Sequence, residues 1–244
     1  MANKIKLVYK NIPINVSYKY QSGGKESIIF LHGLGGGMDY FKDVWDFPGY
    51  QQYSLLAIDL PGFGGSDRPL EFNYHMEEQA AIIKLLIQHL NLDRIHIVGH
   101  SMGGAIGLLL AREIKPIVKS FICLEGNLVS EDCTVSREAV KYSLPDFLST
   151  GFQLIPCLSK NDAYAFYRSA ESLVKWSDSG KLLEFFLGLD ISKYYIFGAQ
   201  NACAPVMSKL TSVSTLAIPN AGHSMMTDNP SRFYSELLRF IKQT

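Results

Sequence analysis

A serine between two glycines is the residue of this chain with the clearest capacity for chemistry. Gly99-His100-Ser101-Met102-Gly103 follows the pattern G-x-S-x-G. The pattern is typical of a tight turn that holds the serine in a strained backbone conformation, with its Oγ above the end of a strand. Side chains at 99 and 103 would collide in such a turn. Three fixed positions occur by chance in roughly one chain of this length in ten, so the flanking residues must support the assignment.

Those flanking residues predict a strand before Ser101 and a helix after it. Ile95 to Val98 is a short β-branched run that suits a buried strand, and Ala105 to Arg112 is an apolar run of helix-forming residues. A serine hydroxyl is nearly unreactive at neutral pH, so it acts as a nucleophile only beside a group that takes its proton. The strand, turn and helix therefore predict a nucleophile that needs a base from elsewhere in the chain.

His223 is the best candidate for that base. It ends the turn Pro219 to His223, directly after a predicted strand, and imidazole titrates near neutral pH. We expect the other five histidines to be packed or exposed to solvent rather than catalytic: His32, His75, His89, His96 and His100.

Eight segments have the composition of strands. They are Lys4 to Tyr9, Ile14 to Tyr20, Ser27 to Leu31, Ser54 to Ile58, Ile95 to Val98, Ser120 to Leu124, Lys193 to Phe197 and Val213 to Ile218. The first two alternate in polarity and predict an antiparallel hairpin at a sheet edge, joined through Pro13. Most of the others are apolar throughout, as expected for strands covered on both faces.

Segments with helical spacing alternate with these strands, among them Tyr74 to Leu90 and Ser231 to Lys242. The alternation predicts an α/β fold with a mostly parallel eight-stranded sheet and helices on both faces. From about Gly126 to Leu189 the segments keep helical spacing but contain no buried strand. We interpret residues 126–189 as a helical cap inserted after the sixth strand, with residues 1–125 and 190–244 forming the core. Ordinary connecting helices are the alternative.

Composition excludes some classes of function. Lys plus Arg and Asp plus Glu both number 23, so the net charge is zero and no basic excess favours nucleic acid as a partner. No apolar stretch approaches the ~20 residues of a membrane span, and the first residues lack the apolar run of a secretory signal, so we expect a cytoplasmic protein. The glycine-rich loop His32 to Gly37 lacks the lysine and hydroxyl of a phosphate-binding loop.

The cysteines also bear on location and cofactors. We expect all of them to be reduced and mostly packed: Cys123, Cys133, Cys157 and Cys203. None of their spacings suits a metal site. Since neither a metal site nor a nucleotide-binding loop emerges from the sequence, we expect no cofactor.

Together, these landmarks resemble the α/β-hydrolase family along essentially the whole chain. The matching features are His32-Gly33 after the third strand, Asp59 to Gly65 after the fourth, Gly99 to Gly104 at the turn, the insertion after the sixth strand, and His223 after the eighth. The resemblance implies the fold and a serine-based acyl-transfer chemistry. It also implies that the backbone N–H groups of Leu34 and Met102 form an oxyanion hole. The fold hosts many reactions, so the substrate does not follow from it.

The third member of the triad departs from the usual pattern. Family members commonly carry an aspartate shortly after the seventh strand, where this chain has Asn201. An amide can orient a histidine but cannot stabilise an imidazolium by charge. Glu125 directly follows the sixth strand, where some α/β-hydrolases carry the acid, and the chain order serine, acid, histidine is kept. We predict a triad of Ser101, His223 and Glu125; an anchoring role for Glu125 in the cap is the alternative.

These residues predict a serine hydrolase that cleaves a small ester or thioester, carboxylesterase-like, through an acyl-enzyme intermediate. Its partner would be a small-molecule acyl substrate between the sheet edge and an apolar cap, and a homodimer is compatible with the sequence. Amide hydrolysis, carbon–carbon bond hydrolysis and lyase chemistry stay open, as does a non-catalytic ligand-binding or receptor role. Haloalkane dehalogenation is disfavoured because it needs an acidic nucleophile at position 101. Cap aromatics that could line the pocket, although most suit a core, are Phe147, Phe152, Tyr164, Phe166, Tyr167, Trp176, Phe185 and Phe186.

Overall fold

Eight strands form a single sheet in the computed structural model, which describes residues 2–156 and 158–244. The strands are β1 (Asn3–Tyr9), β2 (Ile12–Gln21), β3 (Ser27–Leu31), β4 (Ser54–Ile58), β5 (Ile95–His100), β6 (Val118–Leu124), β7 (Ser192–Gly198) and β8 (Ser214–Ile218). Their order in the sheet is β1-β2-β4-β3-β5-β6-β7-β8. β1 and β2 are antiparallel at one edge, and the strands from β4 to β8 pair in parallel. The predicted α/β class and mostly parallel sheet are confirmed.

Eight α-helices accompany the sheet in the described residues. They are α1 (Met76–His89), α2 (Met102–Glu113), α3 (Thr134–Val140), α4 (Leu144–Ser149), α5 (Ala163–Asp178), α6 (Lys181–Leu187), α7 (Met225–Asp228) and α8 (Pro230–Ile241). None of these helices is long and apolar enough to cross a membrane.

Hydrophobic clusters cover both faces of the sheet. In β3, Ile29 and Leu31 pack in the cluster that contains the apolar residues of α1 and α2, whereas Ile28 and Phe30 pack in the cluster that contains those of α8. Alternate residues of a strand point to opposite faces, so an unbroken apolar strand is what a doubly covered sheet requires. The parallel strands then bring their carboxyl ends to one edge, where the loops after them meet.

The turn of the β1–β2 hairpin lies at Lys10 and Asn11, and its predicted placement at Pro13 is wrong. Lys10 and Asn11 have φ values of 48° and 66°. Positive φ at both central residues is characteristic of the two-residue turn whose twist matches a hairpin. Pro13 instead lies within β2, opposite Val8.

The chain between β6 and β7 is helical, with α3 to α6 in this span. The rings of Phe147 and Phe166 stack with centroids 6.1 Å apart, and Tyr167 packs on Phe147 at 5.3 Å. Aromatic side chains thus fill the space between these helices. The division of the chain into a core and a cap of residues 126–189 stays a prediction.

Three cysteines lie in the described residues and are free thiols. Cys123 and Cys133 are buried, and Cys203 is exposed. Cys157, the fourth, lies outside the described residues.

Candidate active site

Ser101 occupies the turn between β5 and α2 and has a strained backbone, with φ of 51° and ψ of −121°. Neighbouring backbone leaves no room for a side chain two residues before or two residues after Ser101. A Cβ at Gly99 would lie 2.3 Å from the Gly103 oxygen, and a Cβ at Gly103 would lie 2.3 Å from the oxygen of Leu31. The two glycines are therefore required for β5 and α2 to approach this closely.

The loop after β3 faces this turn. The Gly36 N–H donates to the Gly33 oxygen at 3.0 Å, closing a turn with Leu34 and Gly35 at its centre. Gly35 has φ of 74°, as a type II turn requires at its third position. The N–H of Leu34 takes no part in closing this turn, and Met102 provides the first N–H of helix α2. Their role as oxyanion donors stays a prediction.

His32 fixes the position of this loop. Its Nδ1 donates to the Gly33 oxygen at 2.8 Å, and its Nε2 accepts from the Leu60 N–H at 3.0 Å. Burial lowers the pKa of His32, which keeps the ring neutral with one donor and one acceptor. The loop after β3 is thereby held against the loop after β4. His32 is a packed histidine, as expected from the sequence.

The side chains of His223 and Glu125 form a close hydrogen bond at the carboxyl edge of the sheet. His223 Nδ1 lies 2.6 Å from Glu125 Oε2. The Glu125 side chain is 10% exposed, whereas that of His223 is 51% exposed. A largely buried carboxylate therefore contacts a histidine that is exposed to solvent. With Nδ1 directed at the carboxylate, the free Nε2 of a neutral ring can accept a proton.

Further donors hold the Glu125 carboxylate in place. The Gly198 N–H, at the end of β7, donates to Oε1 at 2.8 Å. The amide of Asn201 donates to Oε1 at 3.0 Å and to Oε2 at 2.9 Å. The residue at the family's usual acid position is thus a hydrogen-bond donor to the acid after β6. The sequence singled out Asn201 only as a poor replacement for an aspartate, and its contact with Glu125 was not predicted.

The Ser101 hydroxyl has an unpredicted partner. It donates to the side-chain oxygen of Asn127 at 3.2 Å. Among the hydrogen bonds of the described residues none joins Ser101 to His223, although both line one cavity of about 500 Å³. Asn127 lies two residues after Glu125, and that proximity to a predicted site residue was the available signal for it.

His100, the residue before the nucleophile, packs on His223 with ring centroids 4.6 Å apart. Its Nε2 donates to the backbone oxygen of His223 at 2.9 Å. Burial lowers the pKa of His100 to about 3, so the ring is neutral at neutral pH. The sequence predicted that His100 is packed or exposed to solvent rather than catalytic. The structure adds that it fixes the backbone of the residue expected to act as base.

Several loops and strand ends contribute the walls of the cavity. It is lined by Gly33, Leu34, Tyr40, His100, Ser101, Glu125, Asn127, Glu131, Asp132, Cys133, Thr134, Val135, Ser136, Tyr195, Phe197, Asn201, Ala204, Pro205, Met207, His223 and Ser224. None of the eight cap aromatics named from the sequence is among them. Phe147, Phe166 and Phe186 are instead buried in the hydrophobic core. Polar residues such as Thr134 and Ser136 lie on the α3 side of the cavity, and the apolar side chains in its lining include Tyr195, Phe197 and Met207.

Asp228, near the turn that carries His223, has a structural role. Asp228 Oδ2 accepts from the Gly222 N–H at 2.9 Å, which fastens the turn that carries His223. Within residues 2–156 and 158–244, no cluster of three or more His, Cys, Asp or Glu side chains is placed to hold a metal ion.

Comparison with known proteins gives relatives and fold neighbours with hydrolase names. "Uncharacterized hydrolase YugF" of Bacillus subtilis is 32% identical over 126 residues, which cover 50% of this chain and 45% of that protein. "Lipase 3" of Moraxella sp. is 35% identical over 96 residues, covering 39% and 30%. The chain spans less than half the length of the curated relatives it matches first.

The fold itself recurs over the whole chain in solved structures. A thermophilic esterase from Thermogutta terrifontis superposes with a TM-score of 0.76 at 18% identity, covering 99% of both chains. At this identity the likeness concerns the fold alone. The sequence model described as "alpha/beta hydrolase fold" matches residues 26–215, which include Ser101 and Glu125. The chain belongs to the α/β hydrolase fold family.

Proposed function

We propose that this protein is a serine hydrolase that cleaves a small ester or thioester through an acyl-enzyme intermediate. The observation that carries the proposal is the pairing of His223 with the buried Glu125 at 2.6 Å, in the cavity that Ser101 also lines. A nucleophile in a strained turn, a histidine and a buried carboxylate are the three parts of a hydrolytic triad.

In the proposed mechanism Ser101 attacks the carbonyl carbon of the substrate. Its hydroxyl proton leaves the hydrogen bond with Asn127 and passes to Nε2 of His223 as the bond from Oγ to carbon forms. The charge of the Glu125 carboxylate stabilises the imidazolium that results. His223 then gives the proton to the departing alcohol or thiol, and a water molecule hydrolyses the acyl-enzyme by the same steps in reverse.

The oxyanion of the tetrahedral intermediate would be met by the N–H groups of Leu34 and Met102. Met102 begins α2, so the positive end of that helix also lies beside the developing charge. The turn at Leu34 and the contacts of His32 hold the second donor in place before substrate binds. Preorganised donors of this kind are typically worth about 3 kcal/mol each.

We also propose that residues 126–189 act as a cap over this site. Thr134 and Ser136 of α3 line the same cavity as Ser101 and His223. The substrate would therefore bind between the ends of the parallel strands and the first helix of the cap. A cytoplasmic location stays a prediction from the sequence.

A fluorophosphonate probe tests the nucleophile directly. We expect the native protein to be labelled and Ser101→Ala to be unlabelled, because the probe forms a bond to an activated serine. Cys203→Ser serves as a control that leaves labelling intact, since Cys203 is exposed and does not line the cavity. Absence of labelling in the native protein would instead support a ligand-binding role for the same fold.

The reaction class requires a panel of substrates. We expect turnover of short p-nitrophenyl esters and acyl thioesters, dependent on Ser101. Anilides and β-diketones in the same panel test amide and carbon–carbon bond hydrolysis. If only the anilides or β-diketones were turned over, the ester and thioester assignment would be wrong, but the assignment of Ser101 as nucleophile would be unaffected.

A further inference from the structure

Asn127 has no role in the mechanism above, although its side chain is the partner of the nucleophile. The residue is only 4% exposed, and its Oδ1 accepts from Ser101 Oγ at 3.2 Å. A second contact sets the orientation of the amide, because Asn127 Nδ2 donates to the backbone oxygen of Asp132 at 2.8 Å. The atom that faces Ser101 is therefore an acceptor, which cannot stabilise an oxyanion.

The backbone of Asn127 is also held rigidly. Its oxygen accepts from Ser177 Oγ of α5 at 2.9 Å. The next two N–H groups, of Leu128 and Val129, donate to the Asp132 carboxylate. The acceptor oxygen thus has a fixed position beside the reacting atom, which is the condition for reading a substrate group by a hydrogen bond.

Acylation removes the partner of this acceptor. When the Ser101 proton passes to His223 and Oγ becomes bonded to the acyl group, Oγ can no longer donate to Asn127. A buried acceptor left without a donor is costly. The groups attached to the acyl carbon come close to Oδ1, since that carbon is bonded to the oxygen that Oδ1 contacts. A donor on the substrate at this point would restore the lost hydrogen bond.

We propose that Asn127 is a specificity-determining residue that selects esters carrying a hydrogen-bond donor, a hydroxyl or an amide N–H, on the carbon next to the scissile carbonyl. The inference rests on the proposed serine hydrolase function and names its substrate class. Polar residues that line the same cavity, Glu131, Thr134 and Ser136, suit such a substrate better than a purely apolar acyl chain. Selection by a missing hydrogen bond is strong where the protein group is buried.

The test compares three methyl esters: 2-hydroxybutanoate, 2-methoxybutanoate and butanoate, with both enantiomers of the substituted acids. The 2-methoxy ester keeps the electron-withdrawing oxygen but lacks the donor. We expect kcat/KM for one enantiomer of the 2-hydroxy ester to exceed that of its 2-methoxy counterpart by at least about tenfold. Equal values in the native protein would overturn the inference, whatever any variant does.

Variants assign the preference to Asn127. Asn127→Leu has a similar size and no acceptor, so the ratio should fall to near one, whereas Asn127→Asp keeps an acceptor oxygen and should keep the preference. Cys203→Ser, a change at an exposed residue that does not line the cavity, should leave the ratio as in the native protein. A ratio that persists in Asn127→Leu would overturn the inference. If the native protein showed neither ester turnover nor fluorophosphonate labelling, the proposed function itself would be wrong, and the inference would fall with it.

Discussion

The amide of Asn201 donates to both carboxylate oxygens of Glu125, at 3.0 Å to Oε1 and 2.9 Å to Oε2. Oε2 also forms a hydrogen bond of 2.6 Å with Nδ1 of His223. Asn201 and Glu125, the two residues considered for the acid position, are therefore neighbours in one series of hydrogen bonds that continues to His223. Asn201 lies behind the carboxylate that contacts the histidine, and its two hydrogen bonds fix the position of that carboxylate.

Glu125→Gln should lower ester kcat by a factor of about 10²–10⁴, since an amide in place of the triad carboxylate costs about 10⁴ in a serine protease. The substituted amide would also offer one acceptor oxygen to the donors of Gly198, Asn201 and His223. Asn201→Ala should cost at most about tenfold, because it leaves the charge in place. Steady-state kinetics measure kcat of both variants. An unchanged kcat in Glu125→Gln together with a large loss of kcat in Asn201→Ala would contradict the proposed triad.

The adjacency of the two side chains also predicts a rescue. In the double variant Glu125→Gln with Asn201→Asp, a carboxylate returns to a position next to the one that contacts His223. We expect ester turnover to recover by at least about tenfold over Glu125→Gln, because the imidazolium regains a nearby negative charge. Asn201→Ser in the same background lacks a charge and is the control. Equal turnover in the two double variants would show that charge at this position does not support His223.

The strain at Ser101 can be measured as stability. Ser101→Gly should unfold at higher denaturant concentration than Ser101→Ala, with a difference in unfolding free energy of about 1–3 kcal/mol. Both variants lack the hydroxyl, but only glycine adopts φ of 51° without a Cβ penalty. Urea denaturation followed by circular dichroism provides the comparison. Coincident unfolding curves would mean that the turn is not strained.

The second glycine of the turn should tolerate no side chain. In Gly103→Ala the new Cβ would lie 2.3 Å from the Leu31 oxygen and 2.6 Å from that of His32, and both are backbone atoms that cannot yield. We expect a loss of several kcal/mol or failure to fold, as for overpacking at a close backbone approach. Gly188→Ala, with φ of −80° and a nearest approach of 3.2 Å, should change stability little. Thermal denaturation compares the two variants. Equal losses of stability in both would contradict the close backbone approach at Gly103.

Asp132 predicts a pH dependence of stability. Burial raises the pKa of its carboxyl to about 6 from an ordinary value of 3.8. The folded state then binds the proton more tightly than the unfolded state, so this group's contribution to stability is lost as pH rises from about 4 to about 6. The loss is at most about 3 kcal/mol, given 1.36 kcal/mol for each pKa unit.

Asp132→Asn removes this titration. The stability of the variant relative to the native protein should therefore rise with pH between about 4 and 6 and stay constant above that range. Urea midpoints of both proteins at closely spaced pH values give the difference, in which the other acids cancel. A constant difference, or one that falls with pH, would contradict a raised pKa at Asp132.

Much of the fold could be predicted because its elements are set by local patterns. Unbroken apolar runs such as Ser27 to Leu31 and Ser54 to Ile58 coincide with β3 and β4, since burial on both faces excludes polar residues. The hairpin turn was misplaced because proline is a strong turn signal, while the positive φ of Lys10 is not visible in its type. Within residues 126–189 the sequence indicated helices without their bounds, because short, mostly polar segments such as that of α3 lack a clear apolar period.

The amino-acid sequence alone determined the turn at Ser101, since only glycines fit at positions 99 and 103, and the order of Ser101, Glu125 and His223 along the chain. Tertiary structure decided which side chains meet. Glu125, Asn201 and His223 lie after three different strands, and parallel pairing brings those strand ends to one edge. The contact of Asn127 with Ser101 likewise depends on the path of the chain after β6, which no local pattern encodes. Local sterics act within a few residues, whereas the contacts around the carboxylate join groups more than seventy positions apart.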